Sequence, residues 1–331
     1  MNLDVIRAVE SCYACAARDE DWLGGVLDAL SDLDQGHLGM LGEVFRFSPD
    51  GKLAFGTRVA RPAVPPGFLE ERDRTFPQAM LAVREPVVLA SKRGAQCGMG
   101  REATRFHERY GAADGIGIFA ADPDGSTLLV SAAVMAAHPL APRTLHQLSL
   151  FSAHLSAAAR LRQATALQGG GDVSEAVLDP VGKVLHAAGP ARAPEARRTL
   201  ADAVRRMDRA RGALRRTEPD EALQLWQGLV DGAWSLVEQC EADGKRYVLA
   251  HRNAPGVRDP KALTPHERFV VAFAAMGHQN KFIGYELGLS ASGVAEHLSS
   301  AARKLRVSSR AELVRLLAPL IREQRRTEQS P

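Results

Sequence analysis

The sequence lacks any long hydrophobic run. Charged side chains, among them Asp4, Arg7 and Glu10, interrupt the first 30 residues, so no signal peptide is expected there. Nothing further along the chain approaches the roughly 20 apolar residues that a membrane-spanning helix requires. We therefore expect a cytoplasmic protein that has no membrane partner.

Cysteine is also scarce, with four residues in a chain of 331. In a reducing cytoplasm these thiols are expected to stay free. Cys12 and Cys15 have the spacing of a metal or redox pair, but no second Cys or His pair lies nearby to complete a zinc site. We therefore expect no bound metal. The remaining cysteines are Cys97 and Cys240.

The motifs of several enzyme classes are missing. The sequence has no GxxxxGKS or GxxxxGKT phosphate loop, no GxSxG nucleophile elbow and no HExxH zinc pair. Its N-terminal acids do not form the aspartate cluster of a phosphorylation receiver. These absences predict a protein that is not an enzyme and has neither catalytic residues nor a cofactor.

The composition is that of an ordinary globular protein, with 45% hydrophobic and 24% charged residues, and the length suits two or three domains. The formal net charge is only +3, but it is unevenly distributed. From Lys261 onward, eleven Lys and Arg residues stand against six acids, a balance of +5. A basic C-terminal segment is what nucleic-acid binding requires.

This basic segment begins with the signals of two short helices. Thr264 is a good N-cap, Pro265 suits the first helical position, and Glu267 completes a capping box. Asn280 can cap a second helix. Gly288 can end it, because glycine readily takes the left-handed conformation of a helix C-terminus.

A third helix follows at once and a fourth comes after it. Ser290 can cap the third, on which Val294, Leu298 and Ala301 recur at helical spacing and predict one buried face. Ser309 opens the fourth with a second capping box. Two short helices joined by a tight turn, the second with an exposed polar face, form a helix-turn-helix whose second helix fits the major groove of DNA.

The same residues resemble a known family. The runs LTPHERFVV, NKFIGYELGLS and RKLRVSSRAEL, together with Val294 to Leu298, are similar to the LuxR/FixJ-type helix-turn-helix regulators. The resemblance implies an all-α four-helix DNA-binding domain over residues 258–331. It also implies a transcriptional regulator that binds double-stranded DNA as a homodimer.

The predicted recognition face is nearly uncharged, because no Lys or Arg occurs between Lys281 and Arg303. Glu296 can accept a hydrogen bond from a cytosine amino group, whereas the flanking cations would contact phosphates without reading sequence. The complete set of predicted DNA contacts is Lys281, Ser290, Ser292, Ala295, Glu296, Ser299, Ser300, Arg303, Lys304, Ser309 and Arg310.

Two aromatic residues depart from the family pattern. Phe269 and Phe282 stand where the family usually has glutamates. One hypothesis is that they are exposed and dock on another domain or subunit; the other is that they pack within the module. The first hypothesis supports an alternative function, a regulatory interaction module whose degenerate helix-turn-helix binds a protein instead of DNA.

Residues 1–168 resemble a GAF domain in the order of their elements. Two hairpins are predicted, around 49–51 and 123–125, and a long helix over 142–167. On that helix Leu145, Leu148 and Leu155 lie on a near-heptad stripe that we expect to pair two subunits. A small-molecule signal would occupy an apolar pocket between the strands. Apolar strand residues of this kind are, however, more often simply part of the core. The predicted pocket residues are Phe45, Phe47, Phe55, Ile116, Ile118 and Phe119.

Residues 173–254 resemble a PAS domain. The triple glycine at 169–171 marks the boundary before it, and AVLDPVGKVLHAAGPA looks like an opening PAS hairpin. The Trp positions do not match the acyl-homoserine-lactone pocket of quorum-sensing relatives, so the signal, a small molecule or a protein, is unassigned. The whole chain is thus predicted to be a multidomain α+β protein with GAF-like, PAS-like and helix-turn-helix domains.

Overall fold

Two antiparallel sheets, each of five strands, organise the chain. They belong to separate units, residues 1–155 and residues 156–331. A computed structural model describes residues 3–14, 18–34, 38–47, 53–76, 80–81, 85–121, 126–135, 140–167, 174–226, 229–230, 234–240, 246–252, 263–305, 307 and 309–313.

The first sheet has the strand order β2-β1-β5-β4-β3. The predicted hairpins form its β1–β2 and β4–β5 pairs, and β1 also pairs with β5, which joins the two hairpins. The strands are β1 (Met40–Phe47), β2 (Leu53–Arg61), β3 (Val87–Leu89), β4 (Asp114–Ala121) and β5 (Ser126–Val134).

The helices of the first unit begin before the sheet and continue between its strands. The first helix is capped by Asp4, whose carboxylate accepts a hydrogen bond from the Arg7 backbone N–H at 3.1 Å, and it buries Val5, Ile6 and Val9. The helices are α1 (Val5–Cys12), α2 (Asp19–Ala29), α3 (Phe68–Thr75), α4 (Ala90–Gln96), α5 (Gly100–Arg109) and α6 (Pro142–Leu167), the last of which runs into the second unit.

The second sheet repeats the strand order of the first, as β7-β6-β10-β9-β8. Its central strand β10 pairs with both β6 and β9. Trp234 Nε1 donates to Glu175 Oε2 at 2.9 Å and so ties β9 to β6. The strands are β6 (Ser174–Leu178), β7 (Val184–Ala187), β8 (Leu229–Val230), β9 (Trp234–Cys240) and β10 (Arg246–Arg252).

Three helices connect β7 to β8, and they are α7 (Pro194–Arg211), α8 (Leu214–Thr217) and α9 (Pro219–Leu225). The helix α7 ends at Arg211, and Gly212 follows as its C-cap residue. Leu200, Val204 and Met207 form the buried face of α7.

The C-terminal residues form the predicted short helices α10 (Pro265–Ala275), α11 (Asn280–Leu287) and α12 (Ala291–Leu305). Residues 310–313 are helical, and the rest of the predicted fourth helix lies outside the described residues. The mixed α+β class and the helical C-terminal domain are therefore confirmed. In the part of the chain that is described, no helix is both long and apolar enough to cross a membrane.

Candidate nucleic-acid interface and candidate ligand cavity

The helices α10, α11 and α12 enclose a small core of their own. Val270, Ile283 and Val294 come from the three helices in turn, and each is fully buried. Leu298 and Ala301 extend the buried face of α12, as the helical spacing predicted. The core holds the helices together without using the opposite face of α12.

A capping box fixes the start of α10, as predicted. The Glu267 N–H donates to Thr264 Oγ1 at 3.3 Å, and Glu267 Oε2 accepts from the Thr264 N–H at 2.7 Å. The same carboxylate oxygen lies 2.8 Å from Lys304 Nζ on α12. Burial raises the pKa of Glu267, but hydrogen bonds from Lys304, Ser300 and Thr264 outweigh it and lower the pKa to about 2.

The turn between α11 and α12 depends on two glycines. Gly288 takes the left-handed conformation, with φ of 68°, and ends α11 as predicted. A Cβ on Gly284 would come within 2.6 Å of the Leu289 carbonyl oxygen, so the turn can approach the helix only at glycine. The predicted cap of α12 is confirmed, because Ser290 Oγ accepts from the Gly293 N–H at 3.0 Å.

The cap of α11 differs from the prediction. Gln279 is the N-cap residue and makes no capping hydrogen bond through its side chain, whereas Asn280 is already the first helical residue. Asn280 Oδ1 instead accepts a hydrogen bond from the Arg310 guanidinium, which also donates to the His278 carbonyl. The start of the fourth helix is thereby held against the start of α11.

The face of α12 opposite the core is open to solvent. Of the predicted contacts on this helix, only Ser300 is half-buried. The helix has 15 residues and is about 22 Å long, enough to lie along a major groove about 12 Å wide. The predicted DNA contacts that are exposed are Lys281, Ser290, Ser292, Ala295, Glu296, Ser299, Arg303, Lys304, Ser309 and Arg310.

A cavity of about 270 Å³ lies in the first unit, beside the sheet. Strands β1, β2, β4 and β5 form one wall, and residues of α3 and α5 form another. Its surface is mostly apolar, which suits a small organic ligand. Representative lining residues are Leu41, Phe55, Phe119, Leu129, Phe68 and Phe106.

The sequence identified only part of this lining. Phe55, Ile116 and Phe119 line the cavity as predicted. Phe45 is 1% exposed and packs in a core cluster with Val88 and Leu129, and it is not among the described lining residues. Ile118 is not among the described lining residues either, and the side chain of Phe47 lies outside the part of the chain that the structure describes.

Residues on or directly after α3 and α5, which the sequence did not predict, complete the wall. The Phe106 ring of α5 lies 5.2 Å from Phe68 and 5.0 Å from Phe76, between ring centroids. Tyr110 adds a fourth ring at 4.9 Å from Phe68. The strand pattern gave no sign of these residues, because they lie on other elements and meet the sheet only in the folded chain.

A buried charge network stands beside the cavity. Glu43 on β1 is fully buried, and its carboxylate accepts two hydrogen bonds from the guanidinium of Arg72, at 2.6 and 2.7 Å. Arg58 Nε lies 2.7 Å from the same carboxylate, and Asp73 pairs with both arginines. The charges of the two arginines and the two carboxylates cancel. Arg72 and Asp73, which line the cavity, therefore give its wall polar groups without a net charge.

His107 adds a hydrogen-bonding group to the cavity wall. Its Nδ1 donates to the Ala103 carbonyl oxygen at 2.7 Å, which leaves Nε2 as the acceptor of the neutral ring. Burial lowers the pKa of His107 and so favours that neutral form. Nε2 lies so close to Gly115 that a Cβ there would collide with it.

Comparison with known proteins decides the nature of the C-terminal helices. Residues 261–317 match the family described as bacterial regulatory proteins, luxR family. This segment is a LuxR-family domain. It is helical, carries the helix-turn-helix, and indicates a DNA-binding transcription regulator.

Whole-chain comparisons add little to the LuxR-family match. No curated protein matches the chain. A crystal structure of Escherichia coli SdiA covers 86% of this chain and 84% of its own, at 10% identity and a TM-score of 0.28. A structure of SdiA in complex with octanoyl-rac-glycerol aligns with 85% of this chain over 80% of its own length, at 9% identity and a TM-score of 0.25. Likeness at this level carries no argument about fold or ligand.

Two of the predicted phosphate-binding cations in the LuxR-family domain are engaged within it. Lys304 pairs with Glu267, and Arg310 holds Asn280 and His278. A phosphate would have to compete with these contacts. Lys281 and Arg303 remain as exposed cations for which the described residues supply no partner.

The expected exposure of Phe269 was wrong. Phe269 is 4% exposed and belongs to the core of the LuxR-family domain. Phe282 is half-buried, and its ring stacks on His278 with centroids 4.8 Å apart. Local packing, the other hypothesis, accounts for both rings, because a short three-helix core needs large side chains to fill it.

The predicted subunit contact through α6 also needs correction. Leu148 and Leu155 are both fully buried within the chain and therefore offer no surface to a second subunit. Leu145 is half-buried. A near-heptad stripe has the same sequence pattern whether it packs inside its own chain or against a partner. Here, two of its three leucines are buried within the chain and cannot contact a second subunit.

Proposed function

We propose that the chain regulates transcription by placing α12 in the major groove of duplex DNA. The observation that carries this proposal is the exposed polar face of α12, backed by a closed core, inside a LuxR-family segment. Ser292, Glu296 and Ser299 would face base edges. Lys281 and Arg303 would contact phosphates.

We further propose that the protein acts as a homodimer under the control of a signal. The two sheets would be GAF-like and PAS-like sensory domains, over residues 1–168 and 173–254, with the DNA-binding domain at 258–331. Their shared strand order supports a common architecture. The apolar cavity of the first would hold a small ligand.

The alternative of a protein-docking module is not favoured. It required an exposed aromatic surface on the LuxR-family domain, but Phe269 lies in the core and Phe282 is stacked on His278. The exposed face of α12 carries serine, alanine and glutamate, which suits hydrogen bonding in a groove better than an apolar protein contact.

A selection experiment tests DNA binding directly. The purified chain is titrated against genomic DNA fragments at two salt concentrations, and the retained fragments are sequenced. We expect a shared, roughly palindromic site with half-sites one helical turn apart, since a symmetric dimer presents two equivalent α12 helices. Retention without a preferred site, or no retention, would contradict the proposal.

A single substitution then tests the role of α12. Glu296→Ala removes the acceptor proposed to read a cytosine, so preference at one position of each half-site should relax by about 5- to 150-fold. Glu108→Ala, on α5 of the first unit, is a matched control that removes an exposed glutamate elsewhere. An unchanged site preference in Glu296→Ala would remove this residue from the interface.

A further inference from the structure

A second basic segment lies outside the LuxR-family domain. Residues 192–217 contain nine arginines and three acids, a formal balance of +6 in a chain whose total is +3. The segment comprises α7, α8 and the residues around them. The rest of the chain is therefore acidic, and this concentration of arginine on two consecutive helices is a distinct feature of the second unit.

Three of the six arginines of α7 lie together on one face. Leu200, Val204 and Met207 are buried on the opposite side. The helical period of 3.6 places Arg198, Arg205 and Arg209 together on the outer side, and all three are exposed. These three residues, here called the arginine row, extend about 16 Å along the helix, the rise of roughly five base pairs of DNA.

The charges of the arginine row are largely uncompensated. Arg205 pairs with Asp202, but this contact is solvent-exposed and such pairs are weak, so an anion can replace it. For Arg198 and Arg209, no carboxylate among the described residues lies within ion-pair distance. Guanidinium groups in this state are suited to bind phosphate oxygens through paired hydrogen bonds.

Two contacts link the end of α7 to the LuxR-family domain within the second unit. The Arg211 guanidinium lies 4.6 Å from the ring centroid of Trp226, the residue that follows α9. One turn earlier, the Leu223 carbonyl of α9 accepts a hydrogen bond from Tyr285 Oη of α11 at 2.9 Å. The C-terminal end of α7 and the helix α11, the first of the helix-turn-helix, thus both contact α9 or the residue that follows it.

Few of the predicted phosphate-binding cations of the LuxR-family domain are free of contacts within it. Its recognition face has no Lys or Arg before Arg303, and Lys304 and Arg310 are held in contacts within the domain. DNA affinity rests largely on the number of neutralised phosphates. The arginine row, which lies in the same unit, would add such contacts.

We propose that the arginine row binds the phosphate backbone of the DNA that flanks the site occupied by α12. This inference rests on the proposed DNA binding and extends the footprint beyond the helix-turn-helix. DNA is favoured over other anionic partners because the row belongs to the same unit as the LuxR-family domain, in which Lys304 and Arg310 are engaged and Lys281 and Arg303 are the predicted phosphate contacts left exposed. The row would add affinity without adding sequence preference.

The salt dependence of binding tests the proposal. Arg198→Gln, Arg205→Gln and Arg209→Gln are combined in the full-length chain, and affinity for a selected DNA site with about 15 flanking base pairs on each side is measured from 50 to 200 mM salt. Each lost phosphate contact reduces the slope of log affinity against log salt by about 0.9, so the slope should become shallower by about 2 to 3 for each bound subunit, or by about 5 for a homodimer. Preference for the selected site over unrelated DNA should stay unchanged.

Two controls distinguish the effect of where the arginines lie from the effect of the total charge of the chain. Arg74→Gln, Arg101→Gln and Arg105→Gln remove the same charge from exposed positions of the first unit and should leave the slope at the wild-type value. Replacing the arginine row by lysines retains the charge and should restore most of the slope. Equal far-ultraviolet circular dichroism and equal site preference show that each variant is folded.

The outcomes distinguish this proposal from the proposed function. If the wild-type chain selects no DNA site, both fail. If it selects a site but the glutamine variant keeps the wild-type slope, only the arginine row is excluded. If that variant binds DNA normally yet loses binding to vesicles containing anionic phospholipid, the row contacts a membrane surface and the proposal is overturned.

Discussion

The two sheets of this protein share one strand order but differ in where their helices are inserted. In the first, α3 lies between the second and third strands, and α4 and α5 lie between the third and fourth. In the second, α7, α8 and α9 all lie between the second and third strands. The first arrangement has a cavity beside the sheet, whereas α7 of the second buries an apolar face and exposes arginines.

The comparison shows that strand topology alone does not assign a role to a domain. The first domain has buried charge and an aromatic-lined cavity, the properties of a ligand site. The second has an exposed basic face and contacts the LuxR-family domain. These features support the proposed ligand-binding role of the first domain and the proposed DNA contacts of the second.

The largest expected difference between the two sheets concerns one carboxylate in each of them. Glu43 is fully buried between two arginines, and Glu175, on the first strand of the second sheet, is partly exposed. Glu43→Ala should cost about 3–5 kcal/mol, because it leaves buried arginine charge unpaired. Glu175→Ala should cost about 1 kcal/mol. Native-state hydrogen exchange in β1 and β6 measures the local stability of each sheet separately. If Glu43→Ala and Glu175→Ala reduced the stability of their sheets equally, the contrast between the two sheets would be contradicted.

Glu267 extends the comparison to the LuxR-family domain. Its pKa is lowered to about 2 from an ordinary value of 4.5, so its charge stabilises the folded domain above pH 4.5. That contribution is lost as pH falls through about 2. Glu267→Gln keeps the helix cap but loses the charge paired with Lys304, and should cost about 1–2 kcal/mol at pH 7.

The pH dependence of the Glu267→Gln effect provides its check. Denaturant unfolding of wild type and variant at several pH values should give stabilities that converge as pH falls from 5 towards 2. Glu296→Gln, at an exposed carboxylate of the same domain, should differ little from wild type throughout. A Glu267→Gln difference that does not change with pH would show that the ion pair contributes nothing.

Filling the cavity tests the ligand-binding role of the first domain. Ser131 on β5 lines the cavity, and Ser131→Phe should occupy much of its volume. An apolar fluorescent dye such as N-phenyl-1-naphthylamine should bind the wild-type chain and bind this variant at least about 10-fold more weakly, a loss of ~1.4 kcal/mol. Leu185→Phe, at an exposed position of the second sheet, should leave dye affinity unchanged, and equal loss in both variants would place the dye elsewhere.

The smallest expected effect concerns the contact between the second sheet domain and the LuxR-family domain. Tyr285→Phe removes the hydrogen bond to the Leu223 carbonyl and should destabilise the LuxR-family domain by ~1 kcal/mol, as measured by hydrogen exchange in α11. Tyr247→Phe on β10 is the control, because the Tyr247 hydroxyl has no hydrogen-bond partner among the described residues. If both substitutions have the same effect, the contact is not stabilising.

Local signals in the sequence predicted the DNA-binding helices well. The capping box at Thr264, the left-handed Gly288 and the Ser290 cap all involve residues a few positions apart, so their spacing determines the structure directly. The periodicity of Val294, Leu298 and Ala301 likewise predicted which face of α12 is buried. The sheet hairpins followed from turn residues between alternating strands.

Contacts between distant segments were not predictable in the same way. Phe269 and Leu148 are apolar residues whose burial depends on which other elements reach them, and the sequence pattern does not contain that information. The cavity wall needs α3 and α5 to meet the sheet, and Glu43 acquires its arginines from β2 and α3. The surplus of arginine over residues 192–217 can be counted in the sequence, but which of these arginines are exposed and without an ion pair depends on the folded chain.

The helix-turn-helix and the α+β class could be predicted before folding was considered, because helix caps, turns and hydrophobic periods act over a few residues. The basic C-terminal segment could be counted directly from the residues. The tertiary structure alone decided that Phe269 is core, that Lys304 and Arg310 are engaged, and that a cavity stands beside the first sheet. Burial and ion pairing join residues far apart in the chain, so they are settled only when the elements pack together.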